Sequence, residues 1–102
     1  MSVEKKYLKD NGVCKVTFKL PPSIAETASK ANVVGIFNNW DPPGIPMKKT
    51  KTGTFSLSME LQSNNEYEFR YLVDGTRWET DFEADGVTPI PWGDEHNSVL
   101  KI

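Results

Sequence analysis

"EYEFRYLVDG", Glu66 to Gly75, sets the period on which the whole chain is read. Tyr67, Phe69, Tyr71 and Val73 fall on one side of an extended strand; Glu66, Glu68, Arg70 and Leu72 fall on the other. A helix would scatter both sets, because its period is 3.6 rather than two. Asp74-Gly75 then supplies two residues that tolerate positive φ, the chemistry of a tight hairpin. The stretch predicts a half-buried antiparallel strand that turns back into a partner.

The same alternation recurs on both sides of it. Val13 to Leu20 sets Cys14, Val16, Phe18 and Leu20 against Lys15, Thr17 and Lys19. Thr54 to Leu61 sets Phe55, Leu57, Met59 and Leu61 against Ser56, Ser58 and Glu60. Asp10-Asn11-Gly12, Gly53 and Ser63-Asn64-Asn65 are turn signals between these runs. Lys6–Leu8, Asn32–Phe37, Pro46–Lys49, Arg77–Thr80 and Asn97–Ile102 complete a set of about eight short strands. Ser23–Lys30 has room for a helical turn only, and Pro21-Pro22 before it favours a loop. The expected fold is all-β, an immunoglobulin-like sandwich of about seven or eight antiparallel strands, occupying residues 1–102 as one domain.

Composition narrows the function. Twelve basic and fourteen acidic residues leave a net charge of −2, so no positive field exists to displace counterions from a nucleic acid. Lys48, Lys49 and Lys51 cluster beside a turn and are read as a solvated strand end. No apolar run approaches the ~18 residues of a membrane span, and no apolar segment follows Met1-Ser2-Val3-Glu4-Lys5-Lys6 to mark secretion. A cytoplasmic location is the expectation. Cys14 is the only cysteine, which excludes an internal disulfide and a multi-cysteine zinc site.

Catalytic chemistry finds no constellation. Glu79 to Gly86 (ETDFEADG) imitates the start of a calcium loop at Asp81, Glu83, Asp85 and Gly86, but Trp92 stands where a bidentate Glu is required. As a glycosidase pair, its carboxylates lack a cleft deep enough to desolvate a general acid. The stretch is read as a solvated acidic loop. His96 is the only histidine, and pairing it with Cys14 would need that inward-pointing thiol exposed. No Gly-rich phosphate loop or nucleophile elbow occurs, and neither cofactor nor metal is expected.

The tryptophans are the informative residues. Trp40, Trp78 and Trp92 all lie in or beside turns, outside the alternating core sets. Each could cap an end of the core, since burying ~150–250 Å² of indole is worth several kcal/mol. Three such placements together point instead to a stacking surface. Asn38, Asn39, Asn97 and Arg70 supply planar polar groups beside it. An aromatic plate ringed by amides suits a sugar, whose C–H face is apolar and whose rim is hydroxyls.

Val33–Asp41, with its Asn38-Asn39-Trp40 motif, then Phe69–Gly75, Trp78 and Asn97-Ser98-Val99, resembles the family 48 carbohydrate-binding modules. These are early-set domains found at the N-terminus of isoamylase, pullulanase and glycogen branching enzyme, and as the glycogen-binding domain of AMP-activated protein kinase β subunits. Small stand-alone bacterial isoamylase early-set proteins are similar too. The resemblance runs from about Val33 to Ile102 and implies non-catalytic binding of α-1,4-glucans of glycogen or starch type. It implies that Trp40 and Trp78 stack on glucose rings, and that Arg70 and Asn97 hydrogen-bond sugar hydroxyls. Trp92, the third tryptophan set in a turn, joins these candidates. Where the kinase version of the module has a Leu-Gly-Thr run before the asparagine, this chain has Gly93-Asp94-Glu95-His96. An alternative is an interaction domain that docks a glucan-metabolising partner, such as a family 13 glycoside hydrolase.

Overall fold

The computed structural model describes residues 3–8, 12–91, 93 and 95–102. The turn signal at Asp10-Asn11 and the third tryptophan, Trp92, lie outside the described residues. Ten strands occur among the described residues, in two antiparallel sheets: β1 (Val3–Tyr7), β2 (Val13–Lys19), β3 (Ala31–Gly35), β4 (Ile45–Pro46), β5 (Lys48–Lys49), β6 (Phe55–Gln62), β7 (Glu66–Val73), β8 (Arg77–Glu79), β9 (Gly86–Pro89) and β10 (His96–Lys101). One sheet runs β1-β2-β6-β5. The other runs β4-β3-β7-β10-β9, with β8 also paired to β7. The architecture is the expected all-β, immunoglobulin-like sandwich. A helical turn, α1 (Pro22–Ala25), is all that forms in the Ser23–Lys30 region.

Alternation decides what the two sheets enclose. Cys14, Val16 and Phe18 from β2 and Phe55 from β6 face Val33, Phe69, Tyr71, Val73 and Leu100 of the second sheet, all buried. Phe18 meets Phe69 edge-on at 5.0 Å between ring centres, and Phe69 meets Tyr71 at 5.6 Å. The first contact crosses the inter-sheet space and the second runs along β7, and each edge-to-face pair is worth about 0.5–1.5 kcal/mol beyond the area buried. Leu57 and Tyr67, expected in this core, are only partly buried and pack at its margin.

Three sequence readings change. The single strand expected at Pro46–Lys49 is two fragments. Ile45–Pro46 pairs with β3 while Lys48–Lys49 pairs with β6, so the chain crosses between the sheets at buried Met47. The stretch read as a solvated acidic loop also holds a buried carboxylate. Asp81 is wholly enclosed; its Oδ2 accepts the Tyr71 hydroxyl at 2.9 Å and its Oδ1 the Glu83 N–H at 2.9 Å. Burial, reinforced by that carboxylate, pushes the Tyr71 phenol far above its ordinary pKa, so the hydroxyl stays a donor. Finally, the end of the same stretch becomes a strand. Residues Gly86 to Pro89 pair with β10, and Asp85 Oδ2 takes the Lys101 N–H at 2.8 Å and the Lys5 ammonium at 2.7 Å.

Among the described residues no helix is long and apolar enough to cross a membrane.

Candidate functional site

β7 changes partner halfway along one edge. Its first half, Glu66–Phe69, pairs with Lys101–Ser98 of β10; its second half, Tyr71–Val73, pairs with Glu79–Arg77 of β8. Arg70 stands at the change. Alternation turns Arg70 and Leu72 away from the opposing sheet, because Phe69, Tyr71 and Val73 face it. Trp78 is directly across from Leu72, and Asn97 follows the Ser98–Phe69 pair, level with Arg70. Register alone therefore brings Arg70, Trp78 and Asn97 to one outward patch.

Side chains close the seam between β8 and β10 that the ladder leaves open. Thr80 Oγ1 donates to the His96 carbonyl at 2.6 Å, and the Asp81 N–H donates to Ser98 Oγ at 2.7 Å. Ser98 is fully buried. The strands that carry Trp78 and Asn97 are thus tied together a few residues from each.

Trp40 reaches the same patch by a different device. β3 ends when Ile36–Asn38 coils into a single 3₁₀ turn. Asn38 holds that turn by both ends of its amide: Oδ1 accepts the Gly35 N–H at 3.0 Å, and Nδ2 donates to the Asp41 carbonyl at 3.2 Å. The Trp40 N–H donates to the Gly35 carbonyl at 2.9 Å. Asn39 and Trp40 both adopt left-handed backbone, with φ of 60° and 55°. Asparagine visits that region readily, while a tryptophan there costs about 1–2 kcal/mol and persists only where its surroundings enforce it. Asn38, read from sequence as a polar neighbour for ligand, is therefore a structural residue whose amide is engaged within the turn. Gly44 helps seat the loop. Its φ is +85°, and a Cβ there would press into the Val33 carbonyl and the Val34 side chain.

Trp40, Arg70, Trp78 and Asn97 line one hollow of about 410 Å³, together with Ile90 and Pro91. Trp40 and Trp78 are each half-buried, neither core residues nor fully free plates. The Arg70 guanidinium carbon lies 5.0 Å from the centre of the Trp78 ring, within cation–π range. Its Nη1 donates to Glu95 Oε1 at 3.1 Å. Asn97 Nδ2 donates to Glu68 Oε1 at 3.0 Å, which leaves its Oδ1 as the acceptor on the other side. Among the described residues, that Oδ1 and Arg70 Nε are both covered and have no partner. Buried polar groups are ordinarily satisfied, so this donor and acceptor are exceptions among the described residues, and both belong to residues that line the hollow.

Sequence reasoning missed four contributors. Glu68 was readable, since it shares a strand face with Arg70. Glu95 was readable only as part of the altered stretch before Asn97, and nothing in the alternation pointed to Ile90 or Pro91. A somewhat larger hollow, about 530 Å³, is lined by Lys19, Leu20, Pro21, Pro22, Thr50, Thr54, Ser56 and Glu83. Its lining has no aromatic side chain and so no face for stacking.

The family profile of carbohydrate-binding module 48 (isoamylase N-terminal domain) matches residues 7–88. The matched span includes Trp40, Arg70 and Trp78 and stops before Asn97. A comparison with curated proteins returns no match.

Proposed function

We propose that this chain, which belongs to carbohydrate-binding module family 48 (isoamylase N-terminal domain), binds α-1,4-glucans of glycogen or starch type in the hollow between Trp40 and Trp78. The family is a binding module rather than a catalytic one, and carbohydrate in general is its ligand. The finer reading rests on one observation. Two tryptophans, a guanidinium and an amide from positions 40 to 97 line a single open hollow. Indole offers an apolar face to the C–H side of a glucose ring, while Arg70 and Asn97 bring polar groups to its hydroxyl rim. A shallow site with few contacts must first offset the entropy of association, so short oligosaccharides bind with Kd between about 1 μM and 1 mM.

Titration with maltoheptaose, followed by tryptophan fluorescence and amide NMR shifts, tests this. Saturable quenching is expected, with shifts clustered at Trp40, Arg70, Trp78 and Asn97. Shifts confined to another face, or none up to tens of millimolar sugar, would overturn it. Co-purification of such a silent domain with an amylolytic enzyme would favour the docking alternative.

A further inference from the structure

An arginine lying over an indole is by itself a good seat for an anion, since guanidinium offers forked donors that match phosphate or carboxylate. In this hollow two of the donors that would meet an anion already face carboxylates. Arg70 Nη1 is held by Glu95 at 3.1 Å, and Asn97 Nδ2 by Glu68 at 3.0 Å. The nearest charges on β8 do not tip the balance, because Arg77 Nε and Glu79 Oε2 pair with each other at 2.7 Å. Among the described residues, two carboxylates therefore stand just behind the lining, one bonded to its guanidinium and one to its amide.

We propose that Glu68 and Glu95 make this rim a charge filter, admitting uncharged glucan and disfavouring glucans that carry phosphate or another anionic group. The proposal deepens the glucan reading and rests on it. A neutral hydroxyl can accept from Arg70 and donate to either carboxylate, so the two glutamates are compatible with plain sugar. A phosphate brings more negative charge to a rim that already has an excess of it, and like-charge contact is a strong means of rejecting a wrong partner. The Glu95 side chain is 61% exposed, so solvent screens it and the discrimination is moderate. Glu68 also holds the Asn97 amide by its Nδ2.

The test compares maltoheptaose with 6-phosphorylated maltoheptaose on the wild-type protein and on E68Q, E95Q and the double variant. The wild type is expected to prefer the neutral sugar, and its affinity for the phosphorylated one should rise with added NaCl as repulsion is screened. In E68Q/E95Q, phosphosugar affinity should rise by roughly threefold to tenfold at low salt and then fall as NaCl is added, because Arg70 now dominates the field. The readout is the ratio of phosphosugar to neutral-sugar affinity, which should rise by roughly threefold or more in the double variant whatever the two carboxylates contribute to neutral sugar. Melting curves of all four proteins serve as the folding control, and the salt series on the wild type needs no variant. Equal changes for both sugars, or an unchanged phosphosugar affinity in the double variant, would overturn the filter and leave the glucan site standing. Failure of the wild type to bind either sugar would overturn both.

Discussion

Replacing Trp78 with alanine separates a ligand platform from a structural cap, and the surroundings of the indole set the size of each effect. Trp78 is half-buried, lies under the Arg70 guanidinium at 5.0 Å, and sits across from Leu72, which is 5% exposed. Loss of the cross-strand pair costs about 0.2–1 kcal/mol, and loss of a partly exposed cation–π contact about 0.5–1 kcal/mol. Trp78→Ala should therefore destabilise the domain by about 1–2 kcal/mol, a fall in Tm of roughly 5–15 °C for a chain of this size. Affinity for maltoheptaose should fall at least tenfold, about 1.4 kcal/mol or more, because a stacking face is gone. Trp78→Phe keeps an aromatic plate of smaller area and should recover most of the stability and part of the affinity. A denaturant melt and an isothermal titration on each variant give both numbers. A stability loss of about 3 kcal/mol or more, with affinity within twofold of wild type, would refute the platform and make Trp78 a core cap.

The remaining expectations concern the scaffold. Tyr71→Phe removes the donor to enclosed Asp81 and should cost about 1.5–3 kcal/mol, the range for a hydrogen bond to a charged group. Because Tyr71 faces the opposite side of β7 from Arg70, glucan affinity should stay within twofold, and a melt unchanged from wild type would show that the buried pair contributes nothing net. Gly44→Ala forces a side chain into left-handed backbone against Val33 and Val34, so roughly 2 kcal/mol or more should be lost in a urea titration; a neutral result would mean that the loop shifts freely. The Lys30 and Ser29 N–H groups, at 2.9 and 2.8 Å, hold the Asp74 carboxyl below its ordinary pKa. A depressed folded pKa supplies stability that is full above the unfolded value and fades as pH falls through the folded one. Asp74→Asn should accordingly narrow its deficit against wild type as pH is lowered below about 4, and a deficit constant from pH 7 to 2 would contradict this.

Much of the sandwich is legible in residue order because strand alternation is a local property. Each of β2, β6 and β7 declares its buried face within eight residues, and Asp74-Gly75 needs only its own backbone freedom to form a turn. The candidate ligands Trp40, Arg70, Trp78 and Asn97 are legible as types, by their refusal to join the alternating core sets. Asp81 was misread for a complementary reason. A carboxylate in an acidic run looks solvated until a phenol ten residues earlier and a serine seventeen residues later enclose it, and neither is signalled by spacing.

What residue order determined by itself was the extended state, the inward faces and the turn positions, since all three follow from steric and solvation preferences over a few neighbours. Convergence of the site was decided only in three dimensions. Arg70 meets Trp78 and Asn97 because β7 trades β10 for β8 at that residue, and a shift of one position in either ladder would turn a partner to the other face. Trp40 meets them because the Asn38 amide bends the chain after β3 and holds two consecutive residues in left-handed backbone. The placement of Glu68 and Glu95 on Asn97 and Arg70 belongs to the same level. Charge contacts between residues 25 and 29 positions apart arise from register and loop closure, which no local preference encodes.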